Sequence, residues 1–270
     1  MFSPEFDQRV EWPMTISAAR PYTNALLAIQ GTTRAYAGNI RIEGSPQSIR
    51  TVIKPCSPEE LAKEAFANAL AKALGLEAPE QYIVDVNNFG EWERRCNQRY
   101  VYASSLVHSW STYHLRLLRF TLDSADPLLK WKKLPLAVLF DEWIANGDRT
   151  PQNLLFSGVD QFMLIDNEQG FPEHLSESEA QGMNFLASHF FNQQGDALTH
   201  RMQQVFRAIQ QARMIRFESL EFPALRMIEG CPEQIERCRD FVRQRWPHLP
   251  SLLRARSEAF GPDLFSVPSK

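Results

Sequence analysis

Short alternating runs of apolar and polar residues mark the first third of the chain, and helical spacing marks the rest. Residues 35–43 and 49–54 read as strands joined by a turn at Gly44-Ser45-Pro46, with Ile49, Thr51 and Ile53 on one face of the second. The pattern then switches. Ser57 stands as an N-cap, Pro58 at the first helical position, and Glu60 completes a capping box. Leu61, Ala65, Phe66, Ala69, Leu70, Ala73 and Leu74 recur at helical spacing, and Gly75 suits the stop. Residues 81–86 and 98–104 read as strands on either side of a turn at Asn87-Asn88-Phe89-Gly90. Beyond about residue 105, helices are expected over 114–121, 135–146 and most of 176–246. One interruption, 154–166, predicts a hairpin turning near Gly158. Residues 1–20 show no clear period and read as an arm.

The expected fold class is therefore α+β and two-lobed. A β-rich first lobe over 1–105 carries one long helix, and a mainly α-helical second lobe spans 106–270, with a hinge near 103–108. A length of 270 residues suits such a plan. Lys and Arg number 29 against 32 Asp and Glu, a formal charge of -3, so nothing global draws the chain to nucleic acid or an anionic membrane. No apolar run approaches the roughly 18 residues of a membrane helix, and the polar, acidic N-terminus does not resemble a secretory signal. Cys56, Cys96, Cys231 and Cys238 form no C-x-x-C pair, which removes zinc-ribbon and thioredoxin-type sites and leaves free thiols. A cytoplasmic protein is expected. His108 and His114 read as surface or capping residues, and Trp131 among Lys130, Lys132 and Lys133 as a solvated helix end. Arg237, Arg239, Arg243 and Arg245 read as a charged exterior offset by Glu233, Glu236 and Asp240, with docking of an acidic partner as the sharper alternative.

The chemistry concentrates in residues 140–156 and 162–168. A polar loop, Asn146-Gly147-Asp148-Arg149-Thr150-Pro151-Gln152-Asn153, leaves an apolar helix and enters the hairpin, and Asp166 ends the hairpin's second strand. Asp148 and Asn153 lie five apart, and Asp166 follows thirteen residues later. Mg²⁺ favours a partial shell of carboxylate, amide oxygen, water and phosphate. Asn153 and Asp166 suit that shell, and Asp148 suits acceptance of a proton from an attacking hydroxyl. Protein kinases share this Asp-to-Asn spacing and the later metal-binding Asp. A polar loop of this composition also reads as an ordinary turn. Upstream, Lys54 ends a strand and resembles the kinase lysine that contacts ATP phosphates; Glu64 follows on the capped helix. Its place opposite the apolar stripe predicts a solvated face or a water-filled cleft.

Residues 61–79, LAKEAFANALAKALGLEAP, resemble the corresponding helix of HipA-like kinase domains, and the N-x-DR-x-x-x-N loop with its following L-I-D is similar to HipA-like and phosphatidylinositol-kinase-like proteins. The similarity covers about residues 22–170. It implies a two-lobed protein-kinase-like fold and an ATP- and Mg²⁺-dependent kinase acting on protein Ser or Thr hydroxyls. It also implies that Lys54 contacts the phosphates, Glu64 holds Lys54, Asp148 is the catalytic base, and Asn153 and Asp166 bind Mg²⁺. Arg149 would orient the loop or offset its charge, and Tyr102-Ala103-Ser104-Ser105-Leu106 would offer backbone to adenine. A protein substrate is implied, and a regulatory or antitoxin-like protein partner is compatible with it. The sequence departs from the pattern at Thr150, where relatives commonly carry His, and at Asn167-Glu168, where protein kinases carry Phe-Gly. Its glycine-rich loop is thin: Gly31-Thr32-Thr33-Arg34 or Ala37-Gly38-Asn39. A lipid or small-molecule kinase, or a catalytically silent nucleotide- or partner-binding module, are the alternative readings.

Overall fold

The computed structural model describes residues 16–23, 25–29, 35–106, 111–112, 127–158, 160–182, 184–192 and 196–260. Most of the expected arm, the Gly31–Arg34 segment, His108, His114 and the expected helix over 114–121 lie outside them.

The architecture is α+β. Strands β1 (Ser17–Pro21), β2 (Leu27–Ile29), β3 (Ala35–Ile42), β4 (Ser48–Lys54), β5 (Gln81–Asp85) and β6 (Tyr100–Ser105) form one sheet in the order β1-β5-β6-β4-β3-β2. β1 runs parallel to β5 and also pairs antiparallel with β3, Ala19 opposite Ile42, so five strands close into a ring. Alternation sorts the side chains. Tyr82, Val84, Val101, Ala103, Ile40 and Ile53 fill the ring, whereas Ile83 and Tyr102 face the other way into a second, larger core. The short helix α2 (Gly90–Cys96) lends Trp92 to the ring, where its indole donates to the Thr23 carbonyl at 2.8 Å. Sequence pattern alone suggested only a turn there.

Helix α1 (Pro58–Ala73) forms as its punctuation predicts. Ser57 accepts from the Glu60 amide, Glu60 accepts from the Ser57 amide, and Gly75 takes the left-handed conformation at φ +78°. Every residue from Leu61 to Ala71 is buried. The helix lies between the sheet and helix α7 (Cys231–Arg245), where Cys231 Sγ donates to the Pro58 carbonyl at 3.2 Å, and Phe66 packs on Phe171 and Phe222. Over residues 61–71 no face is exposed, so the expected solvated face for Glu64 fails at 4% exposure; of the two expectations the cleft is the one compatible with the structure, since Glu64 borders a small cavity beside Lys54. The apolar core around α1 runs unbroken into the helical remainder.

That remainder comprises α3 (Pro127–Lys130), α4 (Leu134–Trp143), α5 (Phe185–Phe191), α6 (Asp196–Ala212), α7 and α8 (Leu249–Phe260), with hairpin β8 (Leu154–Gly158) and β9 (Gln161–Leu164) edged by β7 (Ser111–Thr112). Trp131 is not solvated; its ring lies 5.0 Å from that of Phe162 in the hairpin core. Glu236–Arg239 and Asp240–Arg243 pair along α7 as the sequence suggests. Arg245 departs from the expected exterior: it is fully buried and pairs with Glu142. No described helix is long and apolar enough to cross a membrane, and the four cysteines are free thiols.

Gly38, one of the two expected phosphate-covering glycines, has a packing role instead. A methyl there would meet the Trp92 ring at 2.7 Å. Gly38→Ala should therefore destabilise the protein by about 1–3 kcal/mol through overpacking, read as a lower thermal midpoint.

Candidate active site

The site begins with one guanidinium. Arg149 follows the end of α4 by a single loop and is completely buried. Its Nε and Nη2 donate to both oxygens of Asp141 at 2.9–3.2 Å, its Nη1 to the carbonyls of Asn153 at 3.2 Å and Ile165 at 2.6 Å, and its Nη2 also to Asn167 Oδ1 at 2.5 Å. One planar fork thus joins helix, loop and both ends of the hairpin. Burial pushes the Asp141 carboxyl up from its ordinary value, against the opposing pull of Arg149. Of the two roles expected for Arg149, orienting the loop is the one its contacts serve.

The loop is shaped by local bonds. Asn146 Oδ1 accepts from the Asp148 amide at 3.1 Å. Thr150 caps a short 3-10 turn over Pro151–Asn153 and donates to Asn153 Oδ1 at 3.0 Å, while Asn153 Nδ2 donates to the Asp148 carbonyl at 3.3 Å. Thr150, the departure from the family pattern, therefore orients Asn153. Asp148 is exposed on this loop. Across the hairpin, the Ile165 amide donates to the Asn153 carbonyl at 3.2 Å, which brings the next residue, Asp166, to the same end.

Asp166 adopts φ +58°, a left-handed conformation that a non-glycine residue holds at a cost. Lys54, the last residue of β4, contacts Asp166 Oδ1 directly and lies 3.4 Å from Glu168 Oε2. Burial alone would lower the Lys54 amine; the charges of Glu64, Asp166 and Glu168 outweigh it and hold the amine above its ordinary range. Glu64 acts on Lys54 through its charge, but its bonded partner is the Asn167 amide, at 2.5 Å to Oε2. Burial raises the Glu64 carboxyl to about 8, with the Lys54 charge opposing.

The structure thus gathers Lys54, Asp166 and Glu168, links Glu64 to them through Asn167, and places Asn153 on the neighbouring strand end. Sequence marked Glu168 only as part of a departure from the Phe-Gly pattern and gave it no site role; its spacing of two from Asp166 was the available signal. The expected adenine-facing backbone lies mostly within β6, which is flanked by β4 and β5, so its amides and carbonyls serve the ladder. The Leu106 amide is likewise used, donating to the Arg50 carbonyl at 3.0 Å. Burial pushes the Cys56 thiol beside Lys54 up to about 12, which leaves no thiolate nucleophile.

Among the described residues no group of three or more His, Cys, Asp or Glu could hold a metal ion. The available donors, the Asp166 carboxylate and the Asn153 amide oxygen, are hard oxygens on partly exposed side chains at one hairpin end. That set fits Mg²⁺ completed by water and phosphate.

A strand lysine set against a hairpin-end carboxylate, with an aspartate and an asparagine on the loop that enters that hairpin, is compatible with a phosphotransferase of the kinase class. The chain belongs to the HipA-like kinase family, whose sequence model matches residues 30–228 and so spans all of these positions. No curated protein matches the chain.

Arg149→Met leaves Asp141 buried without its partner and should cost about 3–5 kcal/mol, with part recovered on adding Asp141→Asn; urea unfolding measures both. Glu64 supplies a second expectation. Its folded value of about 8 exceeds its ordinary 4.5, so folding takes up a proton and stability falls as pH rises through that window. The melting temperature of the wild type should drop relative to Glu64→Gln between pH 5 and pH 8; parallel profiles would show a Glu64 ionised throughout.

Proposed function

We propose that the protein is an ATP- and Mg²⁺-dependent kinase that phosphorylates Ser or Thr hydroxyls of a protein substrate, on a two-lobed kinase-like fold divided near residue 105. The direct Lys54–Asp166 contact carries this reading. It places a sheet lysine against the acid that ends the hairpin, two groups that sequence separates by more than a hundred residues.

In this reading the phosphates of ATP lie between β4 and the hairpin end. Lys54 supports their negative charge, with its own charge maintained by the surrounding acids. Asp166 and Asn153 would hold Mg²⁺, which would supply charge neutralisation on the phosphates. Thr150 fixes the Asn153 oxygen, and Arg149 fixes the separation of the two strand ends. Asp148, exposed on the loop, receives and orients the acceptor hydroxyl and takes its proton as transfer proceeds. Catalysis then rests on positioning and charge, with little covalent work for the protein.

Asp148→Ala and Asp166→Ala should each abolish transfer of labelled phosphate from ATP to protein in a cell extract while the protein stays folded, with Asp166→Ala melting somewhat lower because Lys54 loses a partner. Turnover near the wild-type rate by either variant overturns the assignment. Label appearing in the lipid fraction would move the acceptor to a lipid hydroxyl, and ATP binding without label would leave a binding module.

A further inference from the structure

We infer that Glu168 is the positioning residue that keeps Lys54 in place once Asp166 engages a metal ion, and that Glu64 instead positions the metal-binding segment through the Asn167 amide. This division of labour rests on the phosphotransfer reading above and departs from what the family resemblance implies for Glu64.

Three carboxylates surround one ammonium, and the geometry separates their tasks. Lys54 is in direct contact with Asp166 and Glu168. Glu64 is deeply buried on α1, and its Oε2 is committed to the Asn167 amide. The Asn167 side-chain oxygen accepts from Arg149 Nη2. Asn167 is thereby held on two sides, by its amide and by its side chain, and the residues before and after it both reach Lys54. An Asp166 carboxylate that coordinates a divalent cation has less of its charge left for the lysine. Glu168 remains, partly exposed and on the same segment. Lys54, Glu64 and Glu168 border a cavity of about 160 Å³ that Asp166 does not line, so open space lies on the Glu168 side of the ammonium.

Two measurements test this on the full chain. Glu168→Gln should raise the KM for ATP about tenfold, as expected for loss of one charge-assisted hydrogen bond, with a smaller change in kcat. Glu168→Asp should recover part of that loss. Glu64→Ala should do the reverse, lowering kcat more than it raises KM, because the Asn167 amide and with it Asp166 lose their support. A larger KM effect from Glu64→Ala than from Glu168→Gln overturns the inference. The second measurement needs no nucleotide. Glu168→Gln should lower the melting temperature of the wild type but raise that of Lys54→Met, where the three acids face one another without a cation. Additive shifts overturn the inference whatever the activity. A wild type that neither binds ATP nor transfers phosphate would overturn the functional reading alone, since the melting cycle still reports on the Lys54–Glu168 pair.

Discussion

The site depends on the buried guanidinium of Arg149. Its five N–H groups all find oxygen acceptors: the Asp141 carboxylate, two main-chain carbonyls and the Asn167 side chain. A lysine offers a point charge with three donors and cannot span that set. Burying a charged pair carries a desolvation cost that hydrogen bonding must offset, and here the fork spends every donor on an element of the site. Loop and hairpin are consequently held as one rigid piece with α4. The side chains proposed to do chemistry, Asp148, Asn153 and Asp166, sit on the loop and hairpin end that Arg149 holds.

A second constraint links that piece to the sheet. Lys54 arrives from β4, Glu64 from α1, and Asp166 with Glu168 from the hairpin end. Burial pushes the Glu64 carboxyl up from its ordinary value, against the opposing pull of the Lys54 charge. Main-chain bonding adds to the link: the Leu164 amide donates to the Glu77 carbonyl at 3.1 Å, which ties β9 to the segment following α1. The sheet's lysine and the hairpin's acids therefore share a frame made of covalently distant parts.

Local signals in the sequence were legible because local bonds produce them. The capping box at Ser57 and Glu60, the stop at Gly75 and the hairpin around Gly158 are each decided within a few residues. The spacing of Asp148, Asn153 and Asp166 was equally readable, since a loop and a hairpin bring them to one end. What depended on packing between distant segments was not readable. Glu64 looked solvated because a helical wheel does not show that α1 is covered on all sides. Arg245 looked like its exposed neighbours on α7, and only Glu142 on α4 explains its burial. Gly38 suggested phosphate, but the Trp92 ring accounts for it. Thr150 looked like a defect until its bond to Asn153 was seen.

The Glu142 carboxylate beside Asp141 has a consequence for how the chain matures. It is buried and neutralised by Arg245 and Arg256, whose remaining donors grip the carbonyls of Glu177, Glu179, Gln181 and Gly182. Both arginines lie about a hundred residues or more downstream of it. During synthesis, which runs from the N-terminus, every residue named in the site emerges well before them. Until residue 256 has left the ribosome, a carboxylate next to the Arg149 anchor has no complete set of counter-charges, and the 176–182 strap has nothing to close against. Burial of Glu142 therefore waits on two arginines that follow every residue named in the site, so this part of the core closes late in synthesis.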